Sequence, residues 1–403
     1  MATDRDWSVP AVAEVLIIGA GPAGLSLGCE LKRRGVPFLI VEKGNVGHSW
    51  GGMPRNLKLV SPWKTNYLPG TKHSLFPRHY GMNREEFVDY LQTYAQENDL
   101  PLQTGVQVRT LRQTEDGLFR VQTADAELTA KVVVNATGYF GNPFVPEFRG
   151  AAESAIPQHH VANYRDPPTV RGLIGKERGL VLIVGKRLSA GQTMVELIDA
   201  GFDVALSHRS RIQFGAGPWA WWILYRIFPW LEWLKLKVYG ENAPANDVRM
   251  QGGHARELIE SGKVKTFPAI ERFENERVIF QRGLSLKPDL VLYATGFHPT
   301  LQHLFPLALA IPHERGVPCL RNFESIAIPN LFFLGLDGAR NFQSRFLRGI
   351  RQDAVLLARI LEDRLASNWM QQNRPKLEPR RTGEVNVGAS PEFANSRLRE
   401  RVE

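Results

Sequence analysis

The run Glu14-Val15-Leu16-Ile17-Ile18-Gly19-Ala20-Gly21-Pro22-Ala23-Gly24 decides the fold. Its apolar half reads as a buried parallel strand that ends in a glycine loop. A helix is expected from about Ala23 to Arg34, with Leu25, Leu27 and Leu31 free to face a sheet. Gly35 stops it, and Phe38-Leu39-Ile40-Val41-Glu42 makes the returning strand. Gly19 permits the tight turn, Gly21 lets backbone reach a pyrophosphate, and Gly24 allows close helix–strand packing. From Pro22 and Ala23 onward the helix N-terminus offers unpaired N–H groups and partial positive charge to phosphates. Glu42 lies 18 residues beyond Gly24, where a carboxylate can accept from ribose hydroxyls. Strand, loop, helix and acid together indicate a dinucleotide-binding unit. The bland alternative is a structural glycine turn in an unrelated α/β protein.

The pattern recurs at Leu180-Val181-Leu182-Ile183-Val184-Gly185, with Val204-Ala205-Leu206-Ser207 as the returning strand. Here the loop is Gly185-Lys186-Arg187-Leu188-Ser189-Ala190-Gly191, and Arg187 stands where the second glycine would be. Its guanidinium either crowds the pyrophosphate or folds outward and pairs with it. The second strand runs into Ser207-His208-Arg209-Ser210-Arg211 rather than an acid. Arg209 and Arg211 would welcome a 2′-phosphate, so NADPH is expected rather than NADH. The alternative is a Rossmann domain kept only as scaffold. Two such units give an α/β fold with two Rossmann-like dinucleotide-binding domains. Two strands ending in Ala-Thr-Gly, Ala136-Thr137-Gly138 and Ala294-Thr295-Gly296, read as exits from the sheets.

The expected layout has the first domain over 1–170 and 290–372. The second, over 171–289, is inserted with a Trp-rich segment at 212–245, and a disordered polar tail follows at 373–403. A chain of 403 residues, 43 % of them apolar, can build two such cores. The net charge of +9 could serve nucleic acid, an anionic membrane or cofactor phosphates. Its basic residues are scattered and no nucleic-acid module is seen, which favours phosphates. Cys29 and Cys319 form no CxxC pair, and the ten histidines show no metal-ligand spacing. Charges precede the first apolar run, which leads straight into the glycine loop. A core strand rather than a signal peptide is expected, and a cytoplasmic protein.

Further segments resemble the flavin-containing monooxygenases, most closely their bacterial and plant YUCCA-type branch, over most of residues 14–365. Ala136-Thr137-Gly138 with Pro143, Pro146, Glu147 and Gly150 is similar to that family's ATGxxxxPxxPxxxG. Trp50, Leu57-Lys58-Leu59 and Pro62 resemble its stretch over the flavin, and Ala294-Thr295-Gly296-Phe297 its second link. Pro329-Asn330-Leu331-Phe332-Phe333-Leu334-Gly335-Leu336 resembles the strand beside the flavin, and Gly349 to Ala354 the last helix. The resemblance implies FAD on the first loop and NADPH on the second. Hydride would pass from NADPH to FAD, whose C4a-hydroperoxide, formed with O2, gives one oxygen atom to a small, apolar organic substrate.

The same resemblance implies a flavin-packing role for Trp50, a flavin hydrogen bond or a turn at Asn66, and a cofactor junction at His160 and Tyr164. The identifying FxGxxxHxxx(Y/F) survives only as His160 and Tyr164, with Ser154 and Ile156 replacing Phe and Gly. A gapless alignment sets Trp63 at the flavin-side asparagine, with Asn66 three residues on. Two other functions stay open: a flavin oxidoreductase that oxygenates nothing, and a non-enzymatic flavoprotein that binds a membrane or partner. Five of the nine tryptophans fall between Pro218 and Trp233, with Lys235 and Lys237 following. This segment reads as a peripheral membrane contact over 218–237, an aromatic lid, or domain packing.

Overall fold

The computed structural model describes residues 12–59, 66–71, 82–215, 218–240, 249–314 and 316–372. Pro62 and Trp63, residues 216–217 and 241–245 of the Trp-rich segment, and the tail 373–403 lie outside them. The chain divides into a compact unit, Met1–Asp363, and a C-terminal one, Arg364–Glu403.

Two sheets organise the larger unit. In the first, β1 (Ala13–Ile18) sits between β2 (Phe38–Glu42) and β6 (Glu127–Asn135), parallel to both. Beyond β2 lies β3 (Leu102–Thr104), and beyond β6 the short strand Leu331–Phe333. The antiparallel pair β4 (Val108–Gln113) and β5 (Phe119–Thr123) joins along β6. Helix α1 (Pro22–Arg33) covers β1 with Leu25, Leu27 and Leu31, all fully buried. Helix α2 (Arg84–Glu97) starts with a complete capping box, Asn83 and Glu86 each accepting from the other's backbone N–H.

The second sheet has the order β10-β9-β8-β14-β7, all parallel. Its strands are β7 (Gln158–His160), β8 (Leu180–Val184), β9 (Asp203–Ser207), β10 (Lys265–Phe267) and β14 (Leu290–Tyr293). Helix α3 (Leu188–Asp199) covers β8 through Ala190, Met194 and Leu197. A meander, β11 (Ile270–Glu274), β12 (Arg277–Phe280) and β13 (Ser285–Leu286), packs Phe273, Val278 and Phe280 against the sheet's other face. Strand β14 pairs with β7 on one side and β8 on the other, which draws residues 158–160 and 290–293 into the second sheet.

The two Ala-Thr-Gly turns follow β6 and β14, and the links after them run side by side. Phe144 N–H donates to the Gly296 carbonyl (3.0 Å), His298 N–H to Asn142 (2.9 Å) and Thr300 N–H to Gly138 (2.9 Å). This backbone ladder joins the two sheets where both glycine loops emerge.

Candidate functional site

The two loops are built alike. Gly19 N–H donates to the Val41 carbonyl (2.8 Å) and Gly185 N–H to that of Ser207 (2.9 Å). Ala136 N–H donates to Ile18 (2.9 Å) and Ala294 N–H to Val184 (2.8 Å), so each Ala-Thr-Gly turn seals the loop beside it. A Cβ on Gly19 would stand 2.9 Å from the Ala136 carbonyl oxygen, and one on Gly24 only 2.0 Å from that of Gly19. Those contacts leave no room for a side chain. Gly21 differs, because a Cβ there would meet nothing within 4 Å. That open space above the start of α1 is where a pyrophosphate fits. Glu42 is buried and braces the loop. Its Oε2 accepts from Ala20 N–H at 2.8 Å and its Oε1 from Gly44 N–H at 3.1 Å.

Arg187 takes Gly21's place in the second loop without backbone strain. Gly21 has φ −86° and ψ −173°, Arg187 φ −107° and ψ −167°, both extended backbone that any residue adopts. What distinguishes glycine at this position is therefore space and not conformation, and in the second loop Arg187 adds a cation to the cleft wall.

Both loops open on one cleft of about 1590 Å³. Gly19, Gly21, Pro22, Ala23, Glu42, Trp50, Asn66, Ala136, Thr137 and Gly138 line it from the first sheet's side, with Gly335. Gly185, Arg187, Ser189, Arg209, Thr295 and Gly296 line it from the second. Lys43, Lys58, Arg109, Lys186, Arg345 and Arg348 join Arg187 and Arg209 in the wall, against the carboxylates Glu42, Glu147 and Asp337. Cations outnumber carboxylates, which suits ligands that carry several phosphates. Gly24 and Ala190 stay behind the wall, packing helix on strand.

An aromatic corner lies between the two halves. Trp50 meets Phe87 edge-on (centroids 4.6 Å apart) and Phe140 (5.4 Å), and Phe140 meets Phe297 (5.2 Å). Phe140 follows the first Ala-Thr-Gly turn by two residues and Phe297 the second by one, so the paired links bring these rings together. Thr137 Oγ1 reinforces the pairing by donating to the Thr300 carbonyl (2.9 Å). Asn66 is buried and is among the residues lining the cleft.

His160 and Tyr164 sit just behind the cleft wall, the His160 ring edge-on to Phe297 of the aromatic corner with centroids 4.8 Å apart. His160 is buried and caps the turn Val161–Asn163, its Nδ1 accepting from Ala162 N–H at 3.0 Å. Burial pushes its pKa down to about 4, with the Gly296 carbonyl opposing weakly. Tyr164 lies in the core of the second sheet, and burial followed by the charge of Glu196 raises its hydroxyl. His303, to which no motif points, lines the cleft with Nε2 2.9 Å from Asn135 Oδ1. Arg348, one residue before the Gly349–Ala354 segment, lines the cleft as well. Among the described residues no cluster of His, Cys, Asp and Glu could hold a metal ion.

Two matched glycine cradles facing one basic cleft define an oxidoreductase that works with two dinucleotides. The chain belongs to the pyridine nucleotide-disulphide oxidoreductase family, whose model matches residues 16–335. FAD and a pyridine nucleotide are its cofactors. It is 29 % identical over 354 residues to an uncharacterized CzcO-like oxidoreductase of Geobacillus kaustophilus (86 % of this chain, 97 % of that one). It is 28 % identical over 384 residues to the probable indole-3-pyruvate monooxygenase YUCCA9 of Arabidopsis thaliana (85 % and 87 %). Among solved structures, the flavin-containing monooxygenase of Stenotrophomonas maltophilia superposes with a TM-score of 0.71 at 23 % identity, covering 88 % of this chain and 99 % of that one. The resemblance to flavin monooxygenases thus holds. Both cysteines are free, Cys29 being buried on α1, and no CxxC pair exists.

Proposed function

We propose that the protein is an NADPH-dependent FAD monooxygenase that adds one atom of O2 to a small apolar organic molecule. The observation carrying this reading is that two like-built cradles share one cleft with an aromatic corner between them. In this reading FAD lies on the first loop, its pyrophosphate over Gly21 and its ribose near Glu42. NADPH lies on the second, its pyrophosphate beside Arg187 and Ser189 and its 2′-phosphate at Arg209. FAD supplies the oxygen chemistry when bound. The chain's own residues do the rest. Trp50, Phe140 and Phe297 exclude water where the two cofactors meet, and Asn66 orients the ring system by a hydrogen bond. The free cysteines suit a reducing compartment, and we assign the protein to the cytoplasm.

YUCCA9 is named for indole-3-pyruvate, which makes 2-oxo acids with apolar side chains the first substrates to try. Turnover of such compounds with NADPH under ¹⁸O2 should yield a product carrying one labelled atom. If NADPH is consumed across the panel and only hydrogen peroxide accumulates, the protein is a flavin oxidoreductase without oxygenation.

A further inference from the structure

Helix α4 (Pro218–Tyr239) is turned the wrong way for a water-facing surface helix. Ile227, Trp230, Leu231, Leu234 and Val238 follow the spacing i, i+3, i+4, i+7, i+11, which puts them on one stripe. All five are exposed, Trp230 to 57 % and Val238 to 65 %, and Trp233 beside the stripe to 53 %. Away from the stripe, through Glu232, and along its edge, through Lys235, the helix is attached to the body by charge. Glu232, buried, accepts from Arg348 Nε (2.7 Å) and Nη2 (2.5 Å) and from Gln343 Nε2 (2.9 Å). Lys235 lies over the Phe342 ring at 4.3 Å. A helix in water buries its apolar stripe and exposes its acids; here the described half exposes the stripe and buries its acid.

We infer that α4 docks the protein on an anionic lipid surface, with this stripe entering the headgroup layer. Charge complementarity selects that occupant. Glu232 is the helix's sole acid, neutralised by Arg348 on the inner side, so no carboxylate faces outward. Among the described side chains of the helix the exposed charge is Lys237, beside the Trp233 ring at 5.6 Å, on a chain of net charge +9. Tryptophan, tyrosine and lysine around an apolar stripe are the composition of a helix lying in the interface plane. Among the described residues no helix is long and apolar enough to cross a membrane, so the contact is peripheral. Arg348, at the inner end of the attachment, lines the cleft, which brings the lipid surface and the cleft to opposite sides of one helix. The inference stands whether or not the flavin chemistry is oxygenation.

Co-sedimentation of the full-length, flavin-loaded protein tests this, with vesicles of phosphatidylcholine alone and of phosphatidylcholine mixed with phosphatidylglycerol. The mixed vesicles should retain the protein, and high salt should release part of it. Trp230→Ser combined with Trp233→Ser should weaken retention at least about tenfold, and Lys237→Glu should weaken it on anionic vesicles, all with wild-type flavin content. No retention on either vesicle, or retention indifferent to all three substitutions, would overturn the inference. Equal retention on neutral vesicles would overturn its anionic part. A reversible dimer in sedimentation velocity that the tryptophan substitutions dissolve, without vesicle binding, would make the stripe an interface between copies and likewise overturn it.

Discussion

Gly21 and Gly24 are three residues apart in one motif, yet their surroundings predict opposite failures. A Cβ at 24 would collide with the Gly19 carbonyl, so Gly24→Ala should disturb the packing of α1 on β1 and lower the melting temperature. A Cβ at 21 would meet only empty space, so Gly21→Ala should fold normally but retain FAD at least about tenfold more weakly, because it occupies the room for phosphate. Flavin absorbance per chain and thermal unfolding on both variants separate the two. Loss of stability in Gly21→Ala would show that its space is structural.

His160 permits a second test at this scale. With His303, also buried and also pushed down to about 4, it stays neutral in the folded chain, whereas an unfolded histidine titrates near 6.5. The unfolded state therefore takes up more protons as pH falls below about 6.5, and stability present above that value is lost towards pH 4. Each group contributes on the order of 3 kcal/mol to that loss. His160→Asn keeps an acceptor for Ala162 N–H and cannot titrate, so unfolding midpoints measured from pH 7 to pH 5 should fall less steeply than in the wild type. An unchanged slope would contradict the burial of a neutral imidazole.

Among elements, the βαβ units were the most legible part of the sequence, because strand, glycine loop and helix leave a contiguous signal. Strand β7 was not, being three residues whose identity as a strand depends on β14, more than a hundred residues away. The same holds for Phe140 and Phe297, which face each other only because two distant links pair. The burial of His160 and Tyr164 was equally illegible, since a motif's spacing records residue types but not how deeply each side chain is set. On the second unit, Arg209→Ala should raise the Michaelis constant for NADPH about tenfold or more and leave that for NADH nearly unchanged. Equal effects on both would move the 2′-phosphate elsewhere. Arg187→Gly should raise the NADPH constant if the guanidinium pairs with pyrophosphate, and lower it if the side chain only crowds the loop.

For the whole molecule, the central claim is that the two cradles act as one device across a shared cleft. Sequence indicated both cradles, but not that the ladder between residues 138–144 and 296–300 would bring their mouths together with Trp50, Phe140 and Phe297 between them. Such an arrangement should pass hydride from NADPH to FAD and then keep water from the site where O2 reacts. The most direct test is stopped-flow absorbance of the flavin-loaded protein, reduced by NADPH without oxygen and then mixed with oxygenated buffer. The account predicts rapid bleaching by NADPH, then a lasting near-ultraviolet species that decays to oxidised flavin only later. Failure of NADPH to bleach the flavin would contradict the shared cleft, and immediate return to oxidised flavin would contradict the monooxygenase.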